Sequence, residues 1–121
     1  MKYLVTDDSK MARKMLIKSL KELITNDIEI IEATNGQEAV ELYKLHQPHI
    51  CFMDLTMPVM DGFDAVKTIC LYDNKAKVIV VSADIQDGSK QKARENGAIG
   101  FIKKPINAEN LSTMLTQLEL S

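Results

Sequence analysis

The chain has 121 residues, 45% of them hydrophobic and 26% charged, with a formal net charge of -2. That is the size of one domain, able to bury roughly two-thirds of its unfolded surface without disulfide or metal staples. The weak negative charge excludes the basic field that draws proteins to nucleic acid, and no apolar run nears the ~18 residues of a membrane span.

Short apolar runs alternate with helical patterns along the chain. MKYLVTDD opens it as a short strand (3–6) ending in Asp7-Asp8, and it lacks the form of a signal peptide. Ala12, Met15, Leu16, Ser19, Leu20 and Leu23 then recur at helical spacing. Lys10, Arg13, Lys14, Lys18 and Lys21 lie mostly on another side of that helix and read as a solvated face. IEIIEA (28–33) is a second strand, and Asn35-Gly36 starts a helix carrying Ala39, Leu42, Tyr43 and His46. His46 and His49 flank Pro48 in a surface loop and are assigned no role. ICFMD (50–54) runs directly into Asp54. Asp61-Gly62 then starts a third helix with Ala65, Val66, Ile69 and Cys70. Cys51 and Cys70 have neither metal-ligand nor redox spacing and read as buried reduced thiols.

KVIVVSA (77–83) is a fourth strand with Ser82 at its end. QDGSKQKARENG (86–97) is the weakest helix, because Ala93 is nearly its only apolar anchor. Little burial holds it, so it is expected to be the most mobile helix, closing at Asn96-Gly97. IGFIKK (99–104) leads to Lys103-Lys104-Pro105, and Leu111, Met114, Leu115 and Leu118 mark a last helix.

Alternating strands and helices of this length predict an α/β fold with a five-stranded parallel, doubly wound sheet. Right-handed crossovers put helices on both faces, and the site belongs at the carboxyl ends of the strands. Asp7, Asp8, Asp54, Ser82 and the Lys103-Lys104 pair are therefore brought to one edge. Neighbouring carboxylates repel unless a cation joins them, and hard oxygen donors select a hard divalent ion, Mg²⁺. A carboxylate beside such an ion and a lysine suits attack on a phosphoryl group, giving an aspartyl-phosphate. Each group alone has a plainer reading. Asp7-Asp8-Ser9 suits a helix cap, Asp54 a turn, Ser82 a strand end, and the lysines a solvated pair. The set of complementary groups carries the chemical reading.

The stretches VTDDS (5–9), FMDLTMPVMDG (52–62), VVSAD (80–84) and GFIKKPI (100–106) resemble the receiver domains of two-component response regulators, over essentially the whole chain. The resemblance implies a flavodoxin-like fold with the strand order 2-1-3-4-5 known for this family. It makes Asp54 the phosphoacceptor and Asp7 and Asp8 the acidic pair that binds Mg²⁺ with Asp54. Thr56 would offer its backbone carbonyl to that metal. Ser82 matches the switch hydroxyl that moves toward the phosphoryl group, and Phe101 the aromatic switch position. Lys104 matches the lysine that contacts a phosphoryl oxygen, because it directly precedes the expected cis proline, Pro105; Lys103 is the fallback. Thr56 and Asp84 would tune hydrolysis, and Gly62 is structural.

The resemblance further implies a single receiver domain over 1–121 with no output domain, and a cytoplasmic, stand-alone, chemotaxis-regulator-like switch. It would be a monomer or weak dimer, neither bound to nucleic acid nor inserted in a membrane. Its partners would be a sensor histidine kinase or histidine phosphotransfer domain and a downstream protein target. The alternative to a solvated face for the cations of the first helix is an electrostatic guide to an acidic docking surface on a kinase or phosphotransfer domain. Such a protein is not an enzyme beyond its own phosphorylation and dephosphorylation. Two other classes fit less well. A haloacid-dehalogenase-type phosphatase needs a second acid where Thr56 stands. A flavodoxin-like FMN binder needs a glycine- and hydroxyl-rich loop where TDDSKM stands.

Overall fold

The structure is a computed structural model that describes residues 1–24, 27–55, 57, 59–83, 87–104 and 106–119. Five strands and five helices alternate: β1 Lys2–Thr6, α1 Lys10–Leu23, β2 Glu29–Ala33, α2 Gly36–His46, β3 Ile50–Asp54, α3 Gly62–Tyr72, β4 Val78–Ser82, α4 Asp87–Glu95, β5 Gly100–Lys103 and α5 Ala108–Glu119. All pairings are parallel, in the order β2-β1-β3-β4-β5. The central strands β3 and β4 are buried along their whole length, as expected of apolar runs in a sheet covered on both faces.

Side chains of successive residues feed opposite layers. Leu4, Cys51, Met53, Val78 and Val80 pack on one face with Ala39, Val40 and Tyr43 of α2, Ala65, Val66 and Ile69 of α3, and Ala93 of α4. Tyr3, Val5, Phe52, Ile79 and Val81 pack on the other with Leu16 and Leu20 of α1 and Leu111 of α5. Met15 departs from the sequence expectation: it is 52% exposed, because Leu16 and Leu20 face the sheet and Met15 lies off that row. Of the cysteines, Cys51 is buried and Cys70 half-buried, and both are free thiols.

Local chemistry fixes where the helices begin. Ser9 caps α1 by accepting from the Ala12 N–H, and Asn35 and Asp61 cap α2 and α3 by accepting from the Glu38 and Asp64 N–H groups. Glu38 also accepts from the Thr34 N–H at 3.1 Å, one residue before the cap. Gly97 has φ +116°, and a Cβ there would lie 2.5 Å from Cys70 Sγ. The α4–β5 turn therefore requires glycine.

The opposite edge of the sheet is self-contained. The Lys2 N–H donates to His49 Nδ1 at 3.0 Å, and the His49 N–H donates to the Lys2 carbonyl at 2.8 Å. His49, which the sequence left without a role, thus closes the start of the β1–β3 seam. The Tyr43 hydroxyl donates to Asp73 Oδ2 at 2.8 Å and ties α2 to the end of α3.

Candidate functional site

The site lies where β1, β3 and β5 end. Parallel register sets it: Thr6 stands opposite Met53, Asp54 opposite Val81, and Ser82 opposite Lys103. Residues distant in sequence therefore reach the same edge, Asp54 and Ser82 as the last residues of their strands and Asp7 and Lys104 one step past theirs. Asp7 and Asp54 are buried, each 6% exposed, and Asp8 is exposed.

Asp7 is held from several sides. Its Oδ1 accepts from the Ser9 N–H at 2.9 Å and its Oδ2 from Lys104 Nζ at 2.6 Å. The plain capping role at this turn belongs to Ser9, and the Asp7 side chain is left to face the site. Lys104 Nζ also lies 3.3 Å from Asp54 Oδ1. Lys103 is exposed. Lys104 is thus the lysine that reaches the acids, and the alternation of β5 supplies the reason: Ile102 is buried, Lys103 points out, and the next residue returns to the edge. Its backbone N–H donates to the Ser82 carbonyl at 2.9 Å, which pins the turn to β4.

The electrostatics follow from this crowding. Burial pushes the Asp54 carboxyl above the usual carboxylate range; the charge of Asp7 adds to the effect, and Lys104 opposes it without cancelling it. Burial works against the Lys104 ammonium, but its hydrogen bond to Asp7 and the charge of Asp54 outweigh that and hold it above the ordinary lysine range. Carboxylate oxygens of Asp7, Asp8 and Asp54 all lie within 4.8 Å of one another. Among the described residues, three acids thus face one ammonium, an excess of negative charge with an all-oxygen donor set. That set fits a hard divalent cation such as Mg²⁺.

Gly62 is dictated by proximity. Its N–H donates to the Leu55 carbonyl at 2.9 Å, and a Cβ at this position would lie 2.1 Å from the Asp54 carbonyl oxygen. The first residue of α3 is therefore pressed onto the backbone of Asp54. Gly36 plays a similar part at the start of α2, where a Cβ would lie 2.3 Å from the Met60 carbonyl oxygen.

Ser82 is buried at the end of β4. Phe101 is half-buried and packs against the core between the sheet and α2, α3 and α4. Thr56, Asp84 and Pro105 lie outside the described residues. Sequence reasoning missed Arg13, which it counted among the solvated cations of α1. Its Nη1 donates to the Asp7 carbonyl at 2.7 Å and its Nε to Glu32 Oε1 at 3.0 Å. The available signal was its type. Arginine carries a rigid planar fork, unlike the flexible lysines beside it.

A buried acid at a strand end, a lysine bridging it to a second acid, and an excess of carboxylate are the parts the receiver resemblance leads one to expect. The family model described as Response regulator receiver domain matches residues 3–116. The chain belongs to the response regulator receiver family. This receiver is 43% identical to the chemotaxis protein CheY of Thermotoga maritima, over 95% of this chain and 94% of that protein. It is 42% identical to the chemotaxis protein CheY of Bacillus subtilis, over 89% and 88%. Among solved structures it resembles a chain of the CheX–CheY–BeF3–Mg²⁺ complex from Borrelia burgdorferi, with a TM-score of 0.86 and 29% identity over 100% of this chain and 90% of that one. The strand order and flavodoxin-like fold expected from the sequence are those observed. The receiver is CheY-like, its setting is two-component signalling, and its family characteristically binds Mg²⁺ at an acidic cluster. No helix among the described residues is long and apolar enough to cross a membrane.

Proposed function

We propose that this receiver is a phosphorylation-operated signalling switch that accepts a phosphoryl group on Asp54 from a histidine kinase or histidine phosphotransfer protein. One observation carries the reading: the Lys104 ammonium stands 2.6 Å from Asp7 and 3.3 Å from Asp54, on an acid cluster that has more negative charge than it can neutralise. In the transfer, an ionised Asp54 carboxylate oxygen bonds to phosphorus while the bond from phosphorus to the donor's imidazole nitrogen breaks, the electron pair going to that nitrogen so that the phosphoimidazolium ring leaves as neutral imidazole. Lys104 is placed to exchange its contact with Asp54 for a phosphoryl oxygen, offsetting equatorial charge in the transition state. Asp7 and Asp8 would hold Mg²⁺ with Asp54, and Thr56 would add its backbone carbonyl. When bound, the ion neutralises the carboxylates and polarises the phosphoryl group.

The new phosphoryl group adds about -1.5 to -2 charges. Ser82 then donates a hydrogen bond to it and leaves space behind. Phe101, having no hydroxyl, turns inward by packing alone, and the surface formed by α4, β5 and α5 is biased toward a second state. The output is protein–protein contact in the cytoplasm. On α1, Lys10, Lys14, Lys18 and Lys21 are exposed together with Met11 and Met15. That mixed basic and apolar face suits an acidic phosphodonor surface. Asp84 and Thr56 would set water access to the phosphoryl group.

The test is incubation with Mg²⁺ and a small acyl-phosphate donor. A single acid-stable, base-labile phosphoryl adduct is expected, absent in Asp54→Ala. Full-yield labelling of Asp54→Ala would reject the assignment.

A further inference from the structure

The attachment of α4 follows different chemistry from that of its neighbours. Among its described side chains, only Ala93 is buried, and a Cβ on Gly88 would meet nothing within 4 Å. Two cations flank Ala93. Lys92 Nζ stands 4.4 Å from the ring centroid of Phe63 in α3, and the Arg94 guanidinium carbon 5.5 Å from that of Phe101 in β5. Both rings are half-buried against the same core cluster, and the switch proposed above moves one of them. Phe63 directly follows Gly62, whose backbone is locked against Asp54, and its own carbonyl accepts from Asn96 Nδ2 at 3.2 Å. Phe101 stands on β5, paired with Val80 of β4, at the expected switch position.

We propose that Lys92 and Arg94 are positioning residues that hold α4 in the unphosphorylated receiver through a cation–π clamp with one fixed arm and one releasable arm. The Lys92 arm rests on a ring anchored beside the phosphoacceptor. The Arg94 arm rests on the ring that must turn inward when Asp54 is phosphorylated. Turning that ring takes its face away from the guanidinium, so Arg94 opposes the inward state and sets the threshold of the switch. The release rests on the function proposed above; the clamp itself does not. Each partly exposed cation–π contact is worth about two- to fivefold in an equilibrium. Coupling between α4 and the site is reciprocal, so the same factor appears in the affinity for a phosphoryl mimic.

The experiment measures amide exchange across 87–98 in the full chain, with and without Mg²⁺ and beryllofluoride. It compares wild type, Lys92→Gln, Arg94→Gln and Phe101→Leu, and Arg94→Gln combined with Phe101→Leu. Glutamine keeps helix propensity close to that of lysine and arginine. Without beryllofluoride, Lys92→Gln and Arg94→Gln should each speed exchange by about two- to fivefold. With it, only Lys92→Gln should remain faster than wild type. Arg94→Gln should also bind beryllofluoride more tightly by the factor it gains in exchange, and should add nothing in the Phe101→Leu background. Exchange in Arg94→Gln equal to wild type, or an undiminished Arg94→Gln effect without the Phe101 ring, overturns the clamp. An Arg94→Gln effect that persists with beryllofluoride bound overturns the release. If wild type binds no beryllofluoride, the proposed function and the release both fall, while exchange in its absence still decides the clamp.

Discussion

The two edges of the sheet handle polar groups in opposite ways. At the amino edge, Lys2 and His49 exchange hydrogen bonds and Tyr43 pairs with Asp73, so donors and acceptors match within the protein. At the carboxyl edge, three carboxylates face one lysine, and burial drives Asp54 away from its charged form. The first arrangement closes the fold. The second holds unbalanced charge of the kind that an external cation neutralises. The comparison separates what serves stability from what serves function on one scaffold.

The largest effect should come from the backbone packed under the carboxyl edge. Gly62→Ala must push a methyl group into the Asp54 carbonyl, which would lie 2.1 Å away. Loss of more than about 3 kcal/mol of stability is expected, with little soluble folded protein. A melting midpoint like that of wild type would contradict the close approach.

Lys104→Met should come next. It leaves Asp7 and Asp54 buried without their shared cation, and about 2–4 kcal/mol of stability should be lost in chelator by urea unfolding. Mg²⁺ should restore part of that loss, because it supplies the missing charge. A loss unchanged by Mg²⁺ would mean that packing, not charge, is the role of Lys104.

Asp54→Asn should act in the opposite direction, stabilising the chelated protein by about 1–2 kcal/mol through removal of a desolvated, repelled charge. The sign of the pH dependence follows from the raised carboxyl. Between its unfolded and folded values the folded chain binds more protons, so stability falls as pH rises through that window. The advantage of Asp54→Asn over wild type should therefore grow as pH rises above the ordinary carboxylate range and then level off, and shrink on adding Mg²⁺. Equal pH profiles for the two proteins would refute it.

The smallest effect should appear at the amino edge. Tyr43→Phe removes the hydroxyl that donates to Asp73 and should cost about 1 kcal/mol. Because this contact is far from the acids and balanced within the protein, Mg²⁺ should not change the cost. A cost that varies with Mg²⁺ would show that the two edges communicate.

The element pattern was legible because burial on both faces leaves a simple trace: ICFMD and VIVVS are nearly unbroken apolar runs, and their interiors are buried. The helix starts at Asn35 and Asp61 were legible because capping is a local interaction. The acids and the lysine were legible as a set, because a parallel sheet sends every strand end to one edge. Helix faces were less so. Met15 shares the helical spacing of the core residues but points outward, since a period alone does not say which row meets the sheet.

Sequence alone thus determined the fold class and which polar groups stand at the strand ends, both of which depend on local periodicity and strand direction. Tertiary structure decided the rest. It chose Lys104 over Lys103, drew Arg13 from the basic face of α1 onto the carbonyl of Asp7, and set Lys92 and Arg94 over two aromatic rings. Those choices depend on distances between elements far apart in the chain, and a pattern read along one dimension does not contain them.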